Sequence, residues 1–166
     1  MYHHIQDFLA DWKLAAENTA KIFANITEET KAEKIAPNIR TLERLAWHIT
    51  QTITEMGSRA GIFDHDALED QPIPATFSEI AATHARYNAL LADAVYSRWT
   101  DASLTDRVQM YTEEWTKGVV LSVLVSHEAH HRSQMTIIMR MLGLMVPGLY
   151  GPSAEEWAAY GMPAMA

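Results

Sequence analysis

The stretch from Thr116 to Gly143, TKGVVLSVLVSHEAHHRSQMTIIMRMLG, decides the fold class because it predicts one long amphipathic helix. Its apolar residues recur every three or four positions, which is the spacing of one face of an α-helix. Gly143, followed by Pro147, ends the pattern as expected at a helix C-terminus. We therefore predict a helix from about Thr116 to Leu142.

Three earlier segments show the same helical periodicity. The second of them, TLERLAWHITQTITEMGSRA, stops at Gly61, and the third begins at a capping box formed by Thr76 and Glu79. The predicted helices are residues 2–28, 41–60 and 76–99.

The connections between these helices differ in length and character. Residues 61–74, GIFDHDALEDQPIP, form an acidic loop with two prolines, and residues 100–116 lack clear periodicity and predict an extended crossover. A capping box at Ser153 and Glu156 predicts a short terminal helix. The fold class is therefore all-α, a four-helix bundle with crossover connections and a short C-terminal helix, in a single domain of residues 1–166.

Composition excludes several functions. The 166 residues carry a formal net charge of −8, which disfavours nucleic acid as a partner, and the absence of cysteine excludes disulfides, thiolate-bound metal and a thiol nucleophile. The N-terminus lacks a basic region typical of a signal peptide, and the apolar stretch 119–125 is too short to span a bilayer. We expect a cytoplasmic protein with no membrane partner.

Helix geometry separates the three histidines of the SHEAHHRSQ segment. His127 and His131 are one turn apart in the middle of the apolar stripe, whereas His130 falls on its flank. Burying two imidazoles is costly unless each is hydrogen-bonded or binds a metal, so a metal site and a hydrogen-bonded core pair both remain open. Four residues are predicted on the opposite, exposed side: Arg132, Ser133, Thr136 and Arg140.

A third imidazole favours the metal interpretation. His48 lies at the border of the apolar face of the second helix, and His84, on the stripe of the third helix, is the main rival for the same role. Three protein ligands with open positions are typical of a catalytic ion. The remaining histidines, His3, His4 and His65, are expected to be solvated.

The segment also matches H-E-x-x-H, the zinc-peptidase motif, with Glu128 as the general base. Glu155 or Glu156 would then supply the third ligand. The scarcity of strands to hold a peptide, the short domain and the unused His48 count against this alternative.

Three parts of the chain together resemble the DinB/YfiT-like metalloprotein family. They are LAWHIT on the second helix, HEAHHRSQ on the fourth, and the following R-x-L-G-x-x-V-P-x-x-Y-G tail. The resemblance implies a four-helix bundle, a homodimer, and a divalent ion held by His48, His127 and His131. Ser133 stands where the family usually has glycine.

The resemblance also implies a class of function. Some members of the family are transferases or isomerases that use a low-molecular-weight thiol, and a three-histidine ion with an open position could activate either a thiol or water. We therefore expect a metal-dependent enzyme of the thiol S-transferase or hydrolase type that acts on a small molecule. A non-catalytic metal-binding stress-response dimer is the alternative. Zinc is the first choice of ion, and nickel, iron and manganese also suit imidazole ligands. Glu128 is expected to orient a ligand or pair with Arg132, and Gln134 to hydrogen-bond His127 or His130.

Overall fold

The computed structural model describes residues 1–164 and contains four long α-helices. The remaining regular structure is two short 3₁₀ helices and one small hairpin, so the predicted all-α class is confirmed. The helices are α1 (Ile5–Phe23), α2 (Leu42–Arg59), α3 (Phe77–Arg98) and α4 (Lys117–Met141).

Hydroxyl side chains begin three of the helices where the sequence predicts. Thr41, Thr76 and Thr116 each accept a hydrogen bond from a backbone N–H of the first turn, and at Thr76 the reciprocal bond completes a capping box. Gly143 follows the last turn of α4 with a φ of 71°, a conformation that favours glycine. The predicted bounds of α2, α3 and α4 are therefore accurate to about one residue.

Helix α1 is shorter than predicted. It ends at Phe23, where the Asn25 side chain donates to the carbonyl of Lys21 and turns follow. Ile26 is still buried beyond this end, which explains why it matched the apolar stripe without being helical.

The crossover before α4 is more ordered than the extended segment predicted for it. It contains a 3₁₀ helix (Asp101–Thr105) and an antiparallel hairpin of β1 (Arg107–Met110) and β2 (Glu113–Thr116). The strands are only four residues long, too short for a recognisable alternating pattern.

The predicted terminal helix also differs in its start. A 3₁₀ helix covers Trp157–Tyr160, and no helix begins directly after Ser153 in the described chain. The Glu156 carboxylate instead accepts hydrogen bonds from the backbone N–H groups of Ser153 and Gly148, which closes a turn.

The helices pack as a ring in which α1 and α2 each contact both α3 and α4. The interior divides into two apolar clusters, one around Trp12 and Leu121 and the other around Phe23 and Ile138. One part of each of the helices α1, α3 and α4 packs in the first cluster and another part packs in the second. The buried polar residues of these helices lie between the two parts. These polar residues are Asn18, Thr19, His84, Asn88, Glu128, His131 and Arg132.

In the part of the chain that is described, no helix combines the length and apolar character needed to cross a membrane.

Candidate metal centre

Three imidazoles meet between α2 and α4. His48 comes from α2, and His127 and His131 come from successive turns of α4. One ring nitrogen of each lies within 4.8 Å of the others, and the Nε2 atoms of His127 and His131 are 3.2 Å apart. The His48 ring centre is 5.0 Å from that of His127 and 4.6 Å from that of His131. The structure thus brings together the three histidines that the sequence selected.

The packing of α2 against α4 places these rings. Leu45 and Ile49, which flank His48 on α2, are buried in the same apolar cluster as Met135 and Ile138 of α4. His48 and His127 are half-buried, and His131 is 8% exposed. The rings are therefore held by apolar neighbours on both helices while one side stays open to solvent.

Burial keeps all three imidazoles neutral. Loss of hydration, with a smaller effect from the neighbouring imidazoles, lowers the pKa of His48 and of His127 to about 4. Burial also lowers the pKa of His131, against the opposing effect of its hydrogen bond with Gln134. Neutral imidazole has a free lone pair, which is the form that binds metal ions.

Gln134 fixes the orientation of His131. Its Oε1 is 2.8 Å from His131 Nδ1, and its Nε2 is 3.0 Å from Nε2 of the exposed His130. This pattern has His131 Nδ1–H donating, which leaves the His131 Nε2 lone pair directed toward His127. The prediction that Gln134 bonds His127 or His130 is confirmed for His130, and Gln134 bonds His131 in addition.

The nitrogen spacing fits two ligands of one ion. With metal–nitrogen bonds of about 2.05 Å, two ligands are about 2.9 Å apart at a right angle and about 3.3 Å apart at a tetrahedral angle. The observed 3.2 Å between His127 and His131 lies in this range. Three neutral imidazoles suit several divalent transition metals and leave further coordination positions free.

Glu128 belongs to a different cluster. Its Oε1 accepts a hydrogen bond from the Thr19 hydroxyl and lies 3.4 Å from His84 Nε2 and 3.8 Å from Arg132 Nη1. His84, the rival for the third ligand position, therefore pairs with this carboxylate and not with the three-histidine group. The expected pairing of Glu128 with Arg132 is observed.

Arg132 corrects a prediction about α4. It was assigned to the exposed side, but it is 1% exposed and donates to the Ala15 carbonyl, the Thr19 hydroxyl and the Tyr150 hydroxyl. Helix α1 and the C-terminal tail cover this part of α4. The periodicity of α4 alone contains no information about either covering segment.

The glutamates proposed as the third ligand of a peptidase are also engaged elsewhere. Glu155 binds Arg140 through both carboxylate oxygens, and Glu156 accepts from Gly148 and Ser153. Neither belongs to the three-histidine group.

Two grooves open beside the imidazoles. The groove on the His48 side has a volume of about 530 Å³ and is polar, with Glu55, Arg59 and Glu69 among its lining residues. The groove on the His131 side, about 550 Å³, is mainly apolar and contains Arg40. Sequence reasoning missed Arg40 because it precedes α2 and belongs to no helical pattern.

The structure is a four-helix bundle in which three imidazoles meet between two helices. The fold and the site together are those of a candidate metal-binding four-helix protein. The sequence profile of the DinB family matches residues 1–164, and the chain belongs to the DinB family.

Relatives agree with this assignment. The chain is 34% identical to the uncharacterized protein YrdA of Bacillus subtilis (strain 168) over 164 residues, which are 99% of this chain and 98% of YrdA. It is similar to the crystal structure of a DinB-like protein from Bacillus cereus, with a TM-score of 0.84 and 36% identity over 90% of this chain and 100% of that one. A second DinB-like structure, YjoA of Bacillus subtilis, shares the fold at a TM-score of 0.70 and 15% identity over 89% and 99% of the two chains.

Proposed function

We propose that His48, His127 and His131 hold a divalent metal ion and that the protein is a metal-dependent enzyme of the thiol S-transferase or hydrolase type. The observation that carries the proposal is the 3.2 Å separation of the His127 and His131 Nε2 atoms beside a third imidazole. Membership of the DinB family supports it.

When bound, such an ion supplies a Lewis acid that lowers the pKa of a water or thiol group beside it. The protein contributes the remaining features of the site. Gln134 holds His131 in one tautomer, and burial keeps His48 and His127 neutral. The chain has no cysteine, so thiol transfer uses an external low-molecular-weight thiol, and hydrolysis uses water.

Zinc is the ion we propose first, because three imidazoles and an open position are typical of catalytic zinc sites. Nickel, iron and manganese bind imidazole as well.

The alternative zinc peptidase lacks its general base. In that mechanism Glu128 would act beside the metal, but this residue is only 3% exposed and its carboxylate is hydrogen-bonded to Thr19. His48, which the peptidase motif does not use, lies in the three-histidine group instead.

The proposal is tested by metal analysis of the purified protein and of four histidine variants. His48→Ala, His127→Ala and His131→Ala are each expected to lose most of the bound metal, because two imidazoles hold an ion far less tightly than three. His130→Ala, the matched control on the same helix, is expected to retain it. Full metal content in the His48 variant would contradict the proposed site.

The type of reaction is tested separately on the metal-loaded protein. Glutathione and other small thiols are offered with chlorodinitrobenzene as electrophile, and p-nitrophenyl acetate reports hydrolysis. Turnover that disappears in the three ligand variants and persists in His130→Ala supports an enzyme. Metal binding without turnover of either kind supports the non-catalytic alternative.

A further inference from the structure

The groove beside His131 combines an apolar wall with a single arginine. Its volume, about 550 Å³, lies in the range of small-molecule sites. His131 and Gln134 line it together with Arg40, so a ligand in the groove reaches the three-histidine group. Its apolar lining consists of Ile35, Ile39, Leu45, Ile137, Ile138 and Met141.

Arg40 is exposed, and among residues 1–164 no carboxylate lies within 4.0 Å of its guanidinium. The protein has 21 acidic and 13 basic residues, so carboxylates to pair with are abundant. Other arginines do contact carboxylates, as Arg98 does with Asp64 and Arg107 with Glu114. The Arg40 charge is therefore available to a ligand.

Arg40 and His131 line the same groove, so a positive charge lies beside the three-histidine group. The three-histidine group itself contains no carboxylate to balance a bound cation. Both features favour a negative charge on a ligand in the groove.

We propose that this groove binds small amphiphilic anions, with a carboxylate at Arg40 and a hydrocarbon or aromatic body along the apolar wall. The inference rests on the proposed function in one respect, since it names the class of substrate that would reach the metal site. Guanidinium binds carboxylate through paired N–H donors, and the apolar wall adds the free energy of burying hydrocarbon.

A second copy of the chain is the other candidate occupant. Ile137 and Met141 are each 62% exposed, and such side chains also occur in interfaces between subunits. The concave shape of the groove and the charge of Arg40 on its lining favour the small anion. The experiment below separates the two.

The test uses methyl NMR of protein labelled at the isoleucine δ1 carbons, without metal and with zinc. Octanoate is compared with octan-1-ol and octylamine, which have the same chain and a neutral or cationic end. We expect octanoate to shift the Ile35, Ile39 and Ile137 methyl signals. It should bind about fivefold tighter than octanol, because one exposed charge pair contributes about 1 kcal/mol to the binding free energy. Arg40→Gln is expected to abolish this preference.

Lys34→Gln is the control for charge. Lys34 is exposed on the same connection between α1 and α2, does not line the groove, and its loss changes the net charge equally. The proposal is wrong if octanol binds as tightly as octanoate, or if Lys34→Gln weakens octanoate binding as much as Arg40→Gln. It is also wrong if the groove methyl signals respond to protein dilution and not to octanoate, because a second copy then fills the groove.

The two proposals fail in different ways. Octanoate binding to the metal-free protein tests the groove alone, and metal content of the histidine variants tests the three-histidine site alone. Binding of octanoate to a protein that takes up no metal would leave the groove assignment standing and remove its connection to the reaction.

Discussion

His127 and Glu128 are neighbours in the chain, but their side chains belong to two separate polar clusters. The His127 imidazole faces His48 and His131 between α2 and α4. The Glu128 carboxylate lies with Thr19, His84 and Arg132 toward α1 and α3. Successive residues of a helix point about 100° apart, so one dipeptide can serve two sites.

Glu128→Gln is expected to lower the stability of the protein and leave its metal content unchanged. The amide cannot provide the charge that balances the buried Arg132, at a cost of about 2 kcal/mol. Urea unfolding followed by circular dichroism measures the loss, and elemental analysis measures the metal. A Glu128→Gln variant with wild-type stability but no metal would show that the carboxylate belongs to the metal site.

Arg132→Met is expected to destabilise the protein by about 3–5 kcal/mol, because it leaves the Glu128 carboxylate buried without its cationic partner. Arg140→Met, on the same helix, removes an arginine that is 40% exposed and pairs with Glu155 at the surface. That control is expected to cost less than about 1 kcal/mol. Equal urea midpoints for the two variants would contradict the buried role of Arg132.

The sequence predicted the helices and the three-histidine group because both depend on local periodicity. His127 and His131 follow from one helix face, and His48 lies at the edge of another, so the bundle needs only to pack α2 against α4 to bring them together. The capping box at Thr76 and Glu79 predicted where α3 begins for the same local reason.

Features that depend on contacts distant in the chain were missed. The burial of Arg132 comes from Ala15 and Thr19 of α1 and from Tyr150 of the tail, which a helix pattern cannot indicate. His84 lies on an apolar stripe like the other candidates, and only the position of Glu128 assigns it to a different cluster.

The pairing of Glu155 with Arg140 predicts how acid affects the C-terminal tail. The hydrogen bond from Arg140 lowers the pKa of Glu155 from 4.5 to about 2. Because the folded pKa is below the ordinary value, the stabilisation is present above about pH 4.5 and is lost as the pH falls toward 2. Carbon-13 NMR of the Glu155 carboxyl group measures the midpoint directly, and Arg140→Gln is expected to return it toward 4.5. If the Glu155 carboxyl group titrates with the same midpoint in the wild type and in Arg140→Gln, the ion pair is not the cause of the lowered pKa.

Gln134→Leu is expected to weaken metal binding by about tenfold while leaving the three ligands in place. Gln134 accepts from His131 Nδ1–H, and removing such a partner of a ligating histidine frees the ring to rotate and to change tautomer. Competition with a chromophoric zinc chelator measures the affinity. Gln6→Leu, an exposed position on α1, is the matched control and should leave the affinity unchanged. If Gln134→Leu binds zinc as tightly as the wild type, the orientation of His131 is set by packing in the bundle and not by this hydrogen bond.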